Sequence, residues 1–515
     1  MATTLPEETA SAPTRAPVRS RWAPMASSAR ERLADPVTLI LIAMMAAWSA
    51  LFITLGWMRH ERYATFGFDL GIYDQGVWLV SRFRDPFVTI RGLDLFGHHM
   101  NPILLGFVPF YWLGAGPIFL LVVQVLAQAS GAVAVFLLAR DKLKDRWLAL
   151  VLAGVLLLNP TMQWLTWEFF HPDSLVIAPL LFAYWAATRR KWRWFIVATA
   201  LALACKEDAA LAVGAMGLVI ALRGERRIGA ITSVVAVVWF TLSTRVLIPF
   251  FSGTEAFYES WFGKFGDSPL QVIGNVLRHP ASAYETATEP DRMSYYRMML
   301  APFAFLPLAS VRTLFIAAPM VAVNVLSTFP YQREIRYHYS AIVLVALTLA
   351  TVEGIAILGR TIGLRRFLVG LVAATAFATT VAWGPSPVSV KYKSGIWPLG
   401  EDSRRTTKAE ALALIPDDAP TAATYYFAPH LTHRSKIYEF PAPWKPANWG
   451  VKGENLDDPA LVEWLIIDRG PLGEEDKALF ESLLGTQFRV RFDRDDIVVA
   501  QRISGAGRAS ASGST

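Results

Sequence analysis

The sequence predicts a polytopic α-helical membrane protein of about eleven spans, followed by a C-terminal α/β domain outside the membrane. Three observations carry this. The 515 residues are 54% hydrophobic and only 18% charged, where a soluble domain has about 25% charged residues. Apolar runs near membrane length recur along the chain. Lysine and arginine clusters fall in alternate loops, the pattern by which positive charge sets membrane orientation.

Residues 1–34, rich in Ala, Ser, Thr, Pro and Arg, read as a disordered cytoplasmic tail. They are too long and polar for a signal-peptide n-region. Asp35-Pro36 is a helix start, a capping Asp followed by Pro at the first helical position. The run from there to Trp57 is long enough to span a bilayer. Further candidate spans lie near 116–139, 147–159, 173–188, 193–206, 208–222, 228–250, 298–311, 313–330, 339–358 and 367–384. The segment "PILLGFVPFYWL" (102–113) is too short and aromatic for a span and reads as an interfacial or re-entrant helix.

With the N-terminus inside, the inner loops hold "RDKLKDR" (140–146), "RRKWR" (189–193), "RGERR" (223–227), Arg312 and the stretch 360–366. The alternate loops hold "NPTMQWLTWEFFHPD" (159–173), with no Lys or Arg, and "KED" (206–208). This orientation makes 35–384 a transmembrane domain of an integral plasma membrane protein. The loop 59–115, the loop 251–297 and everything after 384 then lie outside. The net charge of +7 is accounted for by the inner clusters, so no nucleic-acid partner is implied. The single cysteine, Cys205, excludes an intramolecular disulfide.

Residues 385–503 change character. "AEALALIPDDAP" (409–420) reads as a helix ended by Pro, "TAATYYFA" and "LVEWLIID" as strands, and "EEDKALFESLLG" as a helix. "FRVRFDRDDIVVAQRI" reads as a hairpin turning at Arg494-Asp495. Residues 504–515 form a flexible, disordered tail. There is no internal repeat and no Gly-rich phosphate loop.

The unusual polar motifs all fall on the outer side. They are Asp69, Asp74 and Gln75 in "FGFDLGIYDQ"; His98 and His99 in "FGHHMNP"; Glu168, His171 and Asp173 in "EFFHPD"; Lys206, Glu207 and Asp208; and Arg333, Arg336 and His338 in "YQREIRYHY". Ionisable groups beside a membrane are costly unless paired or solvated, so their convergence implies a polar cavity opening outward. Each also has a plain reading. Asp69 or Asp74 caps the helix that follows. His98-His99 before Asn-Pro shapes a turn. The "KED" charges form a local ion pair, and the arginines anchor to lipid headgroups. A metal site is the sharper rival. His98, His99 and His171 are acceptable ligands for a divalent ion, but no spacing such as HExxH is present and adjacent histidines seldom chelate one ion. No cofactor is required.

The order "FDLGIYDQ", then "FGHHMNPILLGFVPFYWL", then a span beginning "GPIFLLVVQVLAQASGAVAVFLLAR" resembles the start of the GT-C superfamily. These are polytopic, lipid-phosphosugar-dependent glycosyltransferases, including protein mannosyltransferases and the aminoarabinose transferases of lipid A. The chain from about 36 to 503 is also similar to the DUF2079 family of predicted membrane proteins. That family carries like "D-x-G-x-Y-D-Q", "G-x-H", "H-P-D", "K-E-D" and "R-x-x-Y-H-Y" stretches. The chain departs from the common GT-C pattern in having one acidic residue next to Leu70, where many members have a pair. It also has "HHMNP" where many have His-Pro-Pro.

The resemblance implies an inverting transfer of a sugar from a polyprenyl-phosphate donor to an envelope glycan, lipid or protein acceptor on the outer face. A phosphate already leaves well, so the reaction needs a base and cations but no general acid. Asp69 is the implied base. Lys206, Arg333 and Arg336 are implied to hold the phosphate. Glu168, His171, Asp173, Glu207, Asp208 and His338 are implied to bind sugar hydroxyls or set the pKa of the base. Asp74, Gln75, His98 and His99 are placed around the substrate. The lipid tail would lie in a groove between spans, among membrane lipids, with the outer domain holding the acceptor. Two other classes compete. One is a lipid or glycan transporter or flippase, disfavoured by the lack of repeats. The other is a non-catalytic protein that binds envelope polymer.

Overall fold

A computed structural model describes residues 35–253, 261–447 and 453–503. The tails expected at 1–34 and 504–515 lie outside the described residues. The first helix, Pro36–Glu61, starts where the cap places it: the Asp35 carboxylate accepts the Thr38 amide at 3.2 Å. Among the described residues, five helices are long and apolar enough to cross a membrane: Pro36–Glu61, Pro117–Leu143, Arg226–Ser252, His338–Leu358 and Ile362–Trp383. The pair Arg146–Leu158 and Pro160–Trp167, bent by 44°, makes a sixth if counted as one span. Pro160 causes the bend, since it cannot continue the hydrogen-bond ladder. Shorter apolar helices cover Trp192–Cys205, Ala209–Leu222 and Val311–Leu326.

One expectation is corrected. The run 298–311 is not one helix. It breaks into short 3₁₀ turns at Ala301–Phe303 and Leu306–Ala309, with Ala304 and Phe305 left-handed between them. Pro302 and Pro307 interrupt it, a feature that apolar composition conceals. The segment 102–113 is a 3₁₀ turn, Pro102–Phe107, running into a short helix, Val108–Trp112.

The helix ends sort into two layers. At one end Arg146 pairs with Asp35 at 2.6 Å and Arg190 with Glu225 at 2.6 Å. There Lys142 and Arg223 both meet Glu353, at 2.8 and 3.1 Å, and Arg365 donates to the Leu143 carbonyl. The polar motifs gather at the opposite end. Between the layers the helices pack closely. A Cβ on Gly217 would sit 2.7 Å from the Gly229 carbonyl oxygen, so helices Ala209–Leu222 and Arg226–Leu242 nearly touch backbone to backbone.

A two-residue ladder joins β1 (Phe87–Val88) to β2 (Leu93–Asp94) near the polar end. The C-terminal strands are β3 (Thr421–Ala423), β4 (Ile437–Glu439), β5 (Trp464–Asp468), β6 (Phe488–Arg494) and β7 (Ile497–Arg502), in the order β4-β3-β5-β7-β6. Strand β3 runs parallel to β4 and β5, while β7 is antiparallel to β5 and β6. Side chains alternate across the sheet. Leu465 and Ile467 face a small core with Phe480 of the helix Glu474–Leu483. Ile466 and Val499 face the other way, into the core shared with the helical bundle. Both faces are therefore buried, and the sheet is fused to the polar end of the bundle. The hairpin turns at Asp495-Asp496, both with positive φ, one residue later than expected. Strand β3 stops at Ala423, short of the expected "TAATYYFA", and the chain turns into a 3₁₀ segment at Ala428–His430.

Candidate functional site

Four segments build the site, each ending or breaking a helix at the polar end. Residues Gly67–Gly71 form a distorted turn before the helix Ile72–Ser81. No side chain caps that helix, so the capping role weighed for Asp69 and Asp74 is filled by neither. Asp69 instead has φ 70 and ψ −89, a region of γ-turn type that is strained for any residue with a Cβ. After Trp167 the chain bends through Glu168 and Phe169 to His171, where Pro172 opens a 3₁₀ turn. Lys206 is extended and ends the helix Trp192–Cys205, so Lys206, Glu207 and Asp208 form the tip of a helical hairpin. His338 opens the last segment, leading into the helix Ala341–Leu358.

A line of alternating charges results. Asp69 Oδ1 lies 3.0 Å from His171 Nε2, and His171 Nδ1 lies 3.8 Å from Asp173 Oδ2. Asp173 Oδ1 accepts from Lys206 Nζ at 2.7 Å, and Asp208 Oδ2 lies 3.4 Å beyond. The His171 ring stacks on His338 at 3.7 Å, and His338 Nδ1 shares a 2.7 Å hydrogen bond with Glu168. Glu207 accepts from His99 Nδ1 at 2.8 Å and from the Met100 amide at 3.0 Å.

Burial and charge set the protonation states. Burial opposes a proton on His171, but Asp69 and Asp173 outweigh it and push the pKa up to about 10, so the ring is a cation. Burial would raise Asp173, yet Lys206 holds it well below the usual carboxylate range. Lys206 is held above its ordinary value by Asp173 and Asp208 in spite of burial. Burial lifts Glu168 well above the carboxylate range and lifts Asp208 to about 7. Accessibility separates Asp69 and Asp208, the latter 23% exposed, from the other two acids. The side chain of Asp69 is 27% exposed, against 3% for Glu168 and 7% for Asp173.

Beside this line lies a cavity of about 380 Å³. Its polar lining comes from His99, Lys206, Glu207, Asp208, Ser268, Gln332 and Tyr339, and the rest is apolar, including Phe240, Val272, Leu277, Met320 and Leu326. The arrangement fits an amphiphile with a small polar head.

Five of the residues singled out from sequence stand apart from this line. Asp74 is fully buried and accepts from Tyr111 and Thr432, with His433 Nε2 at 3.2 Å. Gln75 donates to Thr89 at 2.9 Å. His98 Nδ1 accepts from Arg91 at 3.2 Å. Arg333 is taken up by Asp291 at 2.8 Å and by the carbonyls of Ser327 and Phe329. Arg336 pairs with Glu334 two residues away. The metal expectation also shifts. The group whose donor atoms lie within 4.8 Å of one another is Glu168, His171 and His338, not His98, His99 and His171. In this group His171 Nε2 also lies 3.0 Å from Asp69 Oδ1, and Glu168 Oε2 is buried without a hydrogen-bond partner among the described residues.

Sequence reasoning missed Gln124, which sits fully buried within the helix Pro117–Leu143. Its side chain accepts the His171 amide at 2.7 Å and donates to the Leu165 carbonyl at 2.8 Å, fixing the "EFFHP" bend. A lone Gln in an apolar run was the available signal. Tyr339, over the Lys206 ammonium at 5.6 Å, was missed as well.

The crystal structure of ArnT from Cupriavidus metallidurans bound to undecaprenyl phosphate is similar in fold, with a TM-score of 0.51 and 14% identity. The match covers 91% of this chain and 99% of that one. No curated protein matches the chain. The family model described as "Predicted membrane protein (DUF2079)" matches residues 59–499, and the chain belongs to that family.

Proposed function

We propose that the protein is an inverting glycosyltransferase of GT-C type, moving a sugar from a polyprenyl-phosphate donor to a cell-envelope acceptor on the outer face of the plasma membrane. One observation carries the reading: the apolar cavity opens onto Lys206, and Lys206 connects through Asp173 and His171 to the accessible carboxylate of Asp69. Lys206 would hold the donor phosphate and stabilise the charge that develops on it as the sugar leaves. The cavity would take the first isoprenoid units. Asp69 would take the proton of the acceptor hydroxyl, and the neighbouring His171, 3.0 Å away, would hold its carboxylate in place. The acceptor oxygen, losing its proton to Asp69, would attack the anomeric carbon from the face opposite the phosphate as the bond to the phosphate oxygen breaks, which inverts that carbon. The fold shared with an undecaprenyl-phosphate-bound protein supports the choice of lipid.

With 298–311 removed as a single helix, the shorter helices Ile177–Thr188, Trp192–Cys205, Ala209–Leu222 and Val311–Leu326 would complete about ten tilted or protein-buried helical spans within 35–384, and 385–503 would form the outer domain. A cleft of about 260 Å³ on that domain, lined by Tyr425, Glu439, Phe440, Lys445 and Asp476, is the proposed approach of the acceptor. The test is a density map of the purified protein with undecaprenyl phosphate. Phosphate density beside Lys206, with the tail in the cavity, is expected. Phosphate at the opposite end of the bundle would overturn the reading.

Orientation has its own test. Cys205 is buried, so the chain provides a quiet background for labelling. Glu475→Cys, at a side chain 93% exposed, is expected to react with an impermeant maleimide in intact cells. Arg227→Cys is expected to react only after lysis. Labelling of Arg227→Cys in intact cells would invert the topology.

A further inference from the structure

The C-terminal sheet holds the Asp69 turn from behind. The Gly67 amide donates to the Tyr425 carbonyl at 2.8 Å, and the Phe68 amide donates to Glu439 Oε2 at 3.0 Å. Glu439 is the last residue of β4, is 2% exposed, and lies 371 positions from Phe68 in sequence. The fit is tight. A Cβ on Gly67 would sit 2.6 Å from Glu439 Oε2 and 2.8 Å from Ala428 Cβ, so only glycine passes here. The far side of the same motif is fixed by the same domain: Thr432 and His433 meet Asp74, and Gln75 donates to the Ser435 carbonyl. Between these anchors stands Asp69, in a conformation that costs energy and persists only when its surroundings impose it.

We infer that Glu439 is a positioning residue: with the Tyr425 carbonyl it clamps the Gly67–Phe68 amides and so imposes the backbone that aims the Asp69 carboxylate at the acceptor. This gives the C-terminal domain a part in the chemistry and rests on the reading of Asp69 as base. The two consecutive amides are the ones that lead into Asp69, so releasing them lets the strained turn relax. The carboxylate then leaves its place opposite His171. A misplacement of about 1 Å at a reacting group costs roughly 10²-fold in rate.

The test uses full-length protein in nanodiscs, with undecaprenyl phosphate as the binding probe and an undecaprenyl-phosphate sugar as donor. Glu439→Ala is expected to lower kcat by about 10²-fold, leaving KM for the donor and undecaprenyl phosphate affinity unchanged. Hydrogen exchange should quicken in the peptide 66–71. Glu439→Gln keeps an oxygen where the Phe68 amide needs one and is expected to restore both exchange and kcat. Gly67→Ala, whose Cβ would collide with Glu439 Oε2 and push the turn off it while every residue of the C-terminal domain is unchanged, should reproduce the Glu439→Ala defect. It also keeps the test open if Glu439→Ala does not fold. Normal kcat and exchange in Glu439→Ala would overturn the clamp. So would a loss that appears in donor affinity and melting temperature rather than kcat. Asp69→Asn is the discriminating arm. If it transfers sugar normally, the base assignment fails, and exchange in 66–71 still decides whether the clamp exists.

Discussion

Asp69→Asn is expected to lower sugar transfer by roughly 10²–10⁴-fold, the usual worth of a positioned base, while undecaprenyl phosphate still binds. The substitution is nearly isosteric and removes only the basic site. Asn also tolerates positive φ as well as any residue but glycine, so the unusual backbone at 69 should survive. Helix capping does not confuse the outcome, because no side chain caps the helix Ile72–Ser81. What the variant does lose is the partner of His171, at 3.0 Å, although Asp173 remains nearby. Melting temperature should therefore fall by only a few degrees, since about a quarter of the Asp69 side chain is already in water. Asp74→Asn is the control. It disturbs a buried joint with Tyr111 and Thr432 and should cost stability more than kcat. Full transfer by Asp69→Asn at unchanged stability would remove it from the mechanism. Asp208 would then be the next candidate, as an acid 23% exposed on the cavity side.

What could be read from the sequence follows a physical division. Long apolar runs reveal helices, and the Asp35-Pro36 cap fixes where the first one starts. Alternating Leu465, Ile466 and Ile467 marks a strand buried on both faces. The break in 298–311 was hidden because hydropathy sums composition and ignores whether the backbone can continue through two prolines. Strand β4 has only three residues, too few for a period to show. The convergence of Asp69, His171, Asp173 and Lys206 was legible as charges beside apolar runs. Which charges pair was not. Arg333 looks free in sequence, yet its partner Asp291 lies 42 residues upstream, in the first turn of the helix Pro290–Leu300. His98 and His99 are adjacent but part company, one to Arg91 and the other to Glu207. Glu439 gave no local sign, because its importance comes from a hydrogen bond across 371 residues.

Lys206→Met should produce the largest stability loss and, separately, the loss of lipid binding. The ammonium is 5% exposed and tied to Asp173 at 2.7 Å. Removing it leaves Asp173 buried with only the 3.8 Å contact to His171, and breaking such a pair costs about 3–5 kcal/mol. A low melting temperature alone would say nothing about phosphate. The double variant Lys206→Met/Asp173→Asn removes both charges at once, which is often close to neutral, so most of the stability should return. Undecaprenyl phosphate binding should not return, because the cation that lines the cavity is still gone. Arg333→Ala makes the opposite comparison. It strips a side chain already committed to Asp291 and two carbonyls, so it should lower stability and leave lipid affinity within about twofold, since it makes no charge-assisted bond to the ligand. A stable double variant that still binds undecaprenyl phosphate, with binding lost in Arg333→Ala, would move the phosphate from Lys206 to the arginines.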